Sequence, residues 1–374
     1  MAVQGPRSTA NQAAITTRVA MDEAIEMLDK FDVPLQNMLA SEGVTNIRND
    51  WLDDDLDAQT VTLTAAFTAA GTTLTVADSS NIRVRDLVQR LVPVADVGTA
   101  LSQQILEVTA VPTATTITVP ATTWGGTSAQ SYSSGEVLQI IGQVPQEGAD
   151  PQASRDGDPS GRFNYTQIFQ EKVDATRTAQ KNDQYGIDDP KERMKQRKFK
   201  ELAIRYERAL VHSVRFLSAD KKQRTLGGLL FQITTNVLSN TKANIKTLLN
   251  DSLVASYNLG ASPNLLVVSP AVKIALSNMD STLVTVARDD QGAGQVKSYF
   301  ESDFGRLEFL TDRHFPRGKG IALERQYVMR QNFDDWFYED LAKTGDSEQG
   351  EVVGEFSLKV KNEKAHSVVT VTDA

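Results

Sequence analysis

The chain contains no cysteine. That excludes disulfides, thiolate metal sites, iron–sulfur ligation and cysteine nucleophiles together. Histidine is nearly as scarce: His212, His314 and His366 are the only three, and no two share a metal-ligand spacing on one helix. No apolar run approaches the ~20 residues that span a bilayer. The opening stretch MAVQGPRSTANQAA lacks the apolar core of a signal peptide, so no membrane partner is expected. No Ser–His–Asp order, paired glutamate site or Walker-type loop stands out. The expectation is therefore a non-enzyme, with no catalytic, cofactor-binding or metal-ligating residues and no cofactor. Its stability must come from packing, hydrogen bonding or assembly.

What is present is a chain of 374 residues, enough for two or three compact units. Its net charge of −9, from 39 basic and 48 acidic residues, argues against a dedicated nucleic-acid binder, which is usually basic. Residues 1–43 read as a polar arm with a short amphipathic helix from Ile15 to Leu28, offset by Pro34. Residues 44–60 read as extended chain ending in the acidic run Asp53, Asp54, Asp55 and Asp57. From 61 to 143 the composition shifts to Thr, Ala, Val and Ser with no lysine. Short β-type runs there are separated by turn residues, which predicts an inserted β-barrel or sandwich. Residues 144–162 carry linker chemistry, dense in Pro, Gly, Asp and Ser, and the chain then extends again, giving a second extended segment over 144–182.

Asp188 or Asp189 is placed to cap a long helix with Pro190 at its first position. About 30 residues free of glycine and internal proline follow, a rod of roughly 45 Å. Phe199, Leu202, Tyr206, Ala209 or Leu210, His212 or Ser213, and Leu217 track its apolar face. Gly227 and Gly228 read as a turn between domains. Beyond them α and β signals alternate: helices over 241–256 and from Pro270 to Met279, a buried strand at 265–269, and strands at 307–311, 321–329, 335–339 and 351–371. The last reads as a hairpin turned at Asn362 and Glu363. Residues 286–295 read as a flexible loop, and their lone Gly292-x-Gly294 is not a phosphate site.

The order of parts resembles the Hong Kong 97-type major capsid fold of tailed bacteriophages. DWLDDDLD at 50–57, YTQIFQEKVDATRTAQ at 165–180, KERMKQRKFKELAIRYERAL at 191–210 and RTLGGLL at 224–230 carry the likeness to phage major head proteins. The β segment beginning LEVTAVPTATTITV adds to it. The resemblance implies an α+β fold. Its parts would be an N-terminal arm (1–43), an extended loop (44–60 and 144–182) carrying an inserted β domain (61–143), and a spine helix of a peripheral domain (183–224). An axial domain (225–345) and returning peripheral strands (346–374) would follow.

The function it implies is self-assembly into pentamers and hexamers of an icosahedral head enclosing double-stranded DNA. The subunit would be made in the host bacterial cytoplasm and end in the virion. Implied partners are a portal protein, a decoration protein and packaged DNA held by weak contact only. An acidic total suits such a container wall. Because only ~40 residues precede the extended loop, a separate scaffolding protein is expected. No covalent cross-linking is expected.

Two charged segments are candidates for contacts between subunits. Asp53, Asp54 and Asp55 supply oxygens that suit a hard cation, but they lack a calcium loop's glycine and glutamate, and a solvated or ion-paired face is the stronger reading. Segment 191–208 holds eight basic residues against three acidic ones. Phosphate contact, pairing with a neighbour's acids, and a solvated face with local pairs all stay open. The favoured hypothesis pairs Asp53–Asp55 of one subunit with Lys195, Arg197, Lys198 and Lys200 of the next, which would fix register. The alternatives in other classes are a DNA-binding structural protein using helix 191–208 and a surface or glycan-binding protein using 61–143. His212 is expected to be a core histidine, and Trp51, Trp124 and Trp336 packing anchors.

Overall fold

The computed structural model describes residues 31–56, 58–69, 71–91, 104–124, 129, 131–150, 158–182, 189–277, 299–343 and 345–372. The helix expected at 15–28, the loop at 286–295 with Gly292 and Gly294, and Asp57 lie outside them. The chain divides into two compact units, Met1–Asp53 with Gly161–Ala374, and Asp54–Ser160.

The first unit is built on one long helix and two sheets. Asp189 caps the helix Pro190–His212 by accepting from the backbone N–H groups of Lys191 and Glu192. Pro190 stands at the first helical position, where its missing N–H costs nothing. Leu202, Tyr206 and Leu210 recur every four residues and, with Val211, are wholly buried. The 23 residues make a rod of about 35 Å, shorter than expected from sequence. The reason is tertiary: Ser213 O accepts from Gly228 N at 2.7 Å and Val214 O from the Thr225 hydroxyl at 2.6 Å. The carbonyls that would continue the helix are thus taken, and Phe216–Leu217 instead pairs with Arg224–Thr225.

This helix packs on a four-stranded sheet ordered Ala40–Gly43, Val328–Leu341, Ser347–Val360, Gln167–Thr176. The first pair is parallel and the others antiparallel. Tyr206 stacks on Phe356 with centroids 4.7 Å apart, and Phe169 and Trp336 close around the same ring. Val328–Leu341 is one strand of 14 residues where the sequence suggested parts of two. Register shifts at Asn332/Asp334 and Asp334/Phe337 break the two-residue alternation, so one continuous strand reads as pieces.

The second sheet has six strands, ordered Val237–Thr241, Ser367–Thr372, Lys319–Leu323, Leu265–Val268, Gly305–Thr311, Tyr299–Ser302. Leu265–Val268 is buried at every position. Leu265 and Val267 face the core shared with the long helix, whereas Leu266 and Val268 face the helices Ile245–Asn258 and Pro270–Ser277. That is the two-faced burial that erases polar alternation from a central strand. The expected hairpin at 351–371 is corrected here: Ser347–Val360 and Ser367–Thr372 belong to different sheets. Asn362 adopts φ 44° and the turn Glu363–Ala365 follows. The buried Glu363 carboxylate then accepts from Thr234 N and from the hydroxyls of Thr234 and Thr235, which steers the chain into the six-stranded sheet.

The second unit is a small β module. A four-stranded sheet, Thr60–Thr62, Val137–Gln143, Asp86–Arg90, Ile105–Glu107, and a three-stranded one, Thr73–Thr75, Thr116–Thr118, Ala110–Thr113, enclose one core. Leu63, Leu74, Leu106, Ile117 and Leu138 are at its centre, and Phe67 stacks on Tyr132 at 5.5 Å. With a core of its own, the segment 54–160 is expected to unfold cooperatively when expressed alone. Denaturant titration followed by circular dichroism checks this, and a non-cooperative transition would contradict it. Trp124 is 51% exposed rather than a packing anchor, its indole N–H reaching Glu107.

Candidate assembly surface

The second unit leaves the chain after the strand Arg48–Asp53 and returns at the strand Ser160–Tyr165, and these two strands pair. The root of this ribbon is fixed to the first unit by polar groups at the correct depth to be satisfied. The Trp51 indole donates to Val360 O at 3.1 Å. Asp53, 7% exposed, accepts from Asn362 N at 3.0 Å and lies 3.4 Å from the Arg162 guanidinium. The guanidiniums of Arg48 and Arg215 lie 4.1 and 3.9 Å from the Phe163 ring centroid.

Beside this root the quoted segments at 165–180 and 224–230 meet. Buried Asn164 uses all of its amide: it donates to Gly227 O and Leu358 O and accepts from Gly227 N and Tyr165 N. Thr166 hydrogen-bonds the Glu355 carboxylate and receives the Arg224 guanidinium, which pairs with Glu355 at 2.5 Å. The likeness in those segments is thus a set of mutual contacts. Sequence reasoning passed over Asn164, Arg224 and Glu355 because isolated buried polar residues have no periodicity to reveal them.

The candidate contact residues are distributed as follows. Asp53 is turned inward and paired within its own subunit, which corrects its place in the acidic surface run; Asp54 and Asp55 are exposed, beside Leu52 and Leu56 at 70% and 97% exposure. Asp54 and Asp55 open the second unit, whereas the helix belongs to the first. The helix cations have partners in the same subunit: Lys195 with Glu192, Arg197 with Glu201, and Lys198 with Glu201 and Glu171. Lys200 lies 5.8 Å from the Phe31 ring centroid. Arg205 also pairs with Glu171. At the helix start Lys191 bridges Asp340 and Glu348 of the long hairpin, and the Asp340 carboxylate holds its ammonium above the ordinary lysine range. Hydrogen bonding from Lys198 in turn holds Glu201 below the usual carboxylate range.

His212 is exposed, because the helix ends there and its ring falls off the apolar stripe. The core histidine is His366, fully buried, with Nδ1 accepting from Glu324 N and burial pushing it down to about 4. Among the described residues no group of three or more His, Asp or Glu side chains is placed to hold a metal ion. No described helix is long and apolar enough to cross a membrane.

A family profile described as SU10 major capsid protein matches residues 7–373. The chain belongs to this family. Its architecture is the Hong Kong 97-type capsid fold, with about the full length of each chain superimposing on solved structures. The capsid of a native GTA particle matches with TM-score 0.56 at 10% identity, covering 99% of this chain and 100% of the other. A structure from Mycobacterium phage Bobi matches with TM-score 0.53 at 9% identity, covering 96% and 97%. One from Microbacterium phage Oxtober96 matches with TM-score 0.52 at 11% identity, covering 98% and 99%. No curated protein sequence matches the chain. The protein is a major capsid protein, a structural component of the phage head shell, and its place is the virion capsid. The DNA-binding alternative for helix 191–208 is not supported: its cations are largely neutralised by acids of the same subunit.

Proposed function

We propose that the subunit assembles as pentamers and hexamers through surfaces its own fold leaves uncovered, with the ribbon tip as the reaching element. The observation that carries this is the contrast at residues 51–56. Trp51 and Asp53 anchor inward, while Leu52, Asp54, Asp55 and Leu56 stand in solvent. Two exposed leucines between carboxylates offer an apolar contact with an acidic rim, and a neighbour's helix surface around Arg197 and Lys200 has the matching charge. The pair Arg197 already makes with Glu201 is largely exposed and contributes little, so exchange for a neighbour's carboxylate is nearly neutral in energy and acts on register. In this reading the β module 54–160 projects outward. A separate scaffolding protein, a portal and a decoration protein complete the head, packaged DNA makes weak contact only, and no step is catalytic.

The test is a charge-swap cycle. Asp54→Lys and Arg197→Glu should each raise the subunit concentration needed for shells by about tenfold, and the double variant should recover most of it. Shells are counted by electron microscopy. Strictly additive defects at Arg197, and likewise at Lys195, Lys198 and Lys200, would overturn the pairing.

A further inference from the structure

Where the arm segment, the long helix and the six-stranded sheet meet, a buried acidic cluster stands outside every role described so far. Glu207, wholly buried on the long helix, accepts from Leu35 N at 2.7 Å and Gln36 N at 3.1 Å. Leu35 is itself wholly buried, and the Gln36 side chain donates to Ala203 O at 2.7 Å. The neighbouring carboxyl is Asp312, also wholly buried. It accepts from His314 N through Oδ1, while its Oδ2 and the His314 Nε2 have no hydrogen-bond partner among the described residues. Among the described residues neither carboxyl is within ion-pair distance of a cation. The charged groups around them are spent elsewhere: Arg313 is 3.6 Å from Asp32 of the arm, and Arg208 reaches His314 Nδ1 at 3.4 Å. His212 is exposed at the helix end, and Arg330 of the long strand bears on Tyr206.

We infer that Glu207 is a proton-sensitive latch that seats the arm segment 33–39 on the long helix, holding it tightly when the carboxyl is protonated and loosening it when it ionises. Two carboxylates buried together without a cation favour having at least one proton between them. Burial pushes Glu207 up to about 7, with Asp312 adding to the rise and the two backbone N–H groups opposing it. Burial likewise raises Asp312 and lowers His314. With the arm lifted away, Glu207 faces water and returns towards the ordinary glutamate value of 4.5. The seated state therefore binds more protons between about 4.5 and 7, so seating is fully favoured below that window and weakens as pH rises through it. The inference concerns one subunit, and its consequence for shells rests on the assembly reading: an arm that loosens near neutral pH is available for capture by a neighbour.

Amide hydrogen exchange on the full-length chain tests it, scored as protection factors so that the intrinsic pH dependence is removed. Protection at Leu35 and Gln36 should fall by about tenfold or more between pH 5.5 and 8, while Leu248, in another helix, stays level. Glu207→Gln should flatten the profile at Leu35 and Gln36. Should that variant not fold, Asp312→Asn serves, because removing the second carboxyl lets Glu207 ionise more readily and shrinks the fall. A flat wild-type profile, or a fall of unchanged size in Asp312→Asn, overturns the latch. Neither outcome depends on shells forming, so the latch and the assembly reading fail separately.

Discussion

Replacing Asn164 by leucine is expected to destabilise the first unit by about 4 kcal/mol. Leucine keeps the branching at Cγ but is larger by about one methylene, so overpacking adds to the loss of hydrogen bonding, which is the main change. The two carbonyls that lose the Asn164 amide keep a partner: Gln232 Nε2 reaches Gly227 O at 2.7 Å and Leu358 O at 3.4 Å. The N–H groups of Gly227 and Tyr165 lose the side-chain oxygen that now accepts from them at 2.7 and 2.9 Å. The buried Gly227 N–H left alone costs roughly 1–3 kcal/mol, the half-buried Tyr165 N–H less, and the amide's own bonds are lost besides. For a unit of this size the midpoint should fall by roughly 8–16 °C. The transition is followed through the fluorescence of Trp51 and Trp336, which report on this unit. A midpoint within about 2 °C of wild type would show that water replaces the amide and that Asn164 does not hold the ribbon root.

The parts of this protein that sequence made legible are those whose periodicity survives folding. The long helix was readable because its cap, its first-turn proline and its four-residue apolar spacing agree at one place. The β module was readable because its strands lie between a core and solvent and so alternate. What escaped is instructive. The helix end was overrun by seven residues because Ser213 and Val214 carbonyls are taken by Gly228 and Thr225, contacts that local propensity does not encode. The final two strands were joined as a hairpin because both alternate well and a turn lies between them. It is buried Glu363, seated on Thr234 and Thr235, that sends the second strand to a different sheet. The acidic run reads as uniform in sequence, yet neighbours on the strand Arg48–Asp53 point to opposite faces, Trp51 and Asp53 inward and Leu52 outward, and Asp54 just beyond its end is exposed.

That alternation bears on the assembly proposed above. The strand that leads into the second unit is held to its own unit by Trp51 and Asp53. On that proposal, association need not order the root of the reaching element, only its tip, which would lower the entropic cost of each contact. The polar knot at Asn164, Thr166, Arg224 and Glu355 would then serve assembly without touching a neighbour.

The glycine that ends the long helix, next to this knot, supplies the second large effect. Gly228→Ala is expected to cost about 3 kcal/mol or more, for a reason unrelated to backbone torsion, since Gly228 is extended with φ −78° and ψ 178°. An added Cβ would lie 2.8 Å from Ala209 O and 2.9 Å from Val211 C and O, the backbone of the last turn of the long helix. Backbone cannot swing aside as a side chain does, so relief requires moving the helix end or the turn. Moving the turn breaks the Gly228 N bond to Ser213 O, the contact that ends the helix, and displaces the wholly buried Leu226 and Leu229 on either side. The expected result is a midpoint of the first unit lowered by roughly 6–12 °C, with the transition of the β module 54–160 in the same full-length chain unchanged. Gly227→Ala is the informative contrast. Its Cβ would meet the Phe231 ring at 2.9 Å and Arg215 Cβ at 3.2 Å, both side chains, and the Phe231 ring has room to rotate only by giving up Arg215. The loss there should be smaller. An equal loss at both positions would mean that the turn as a whole, rather than the backbone-to-backbone approach at Gly228, sets the end of the helix.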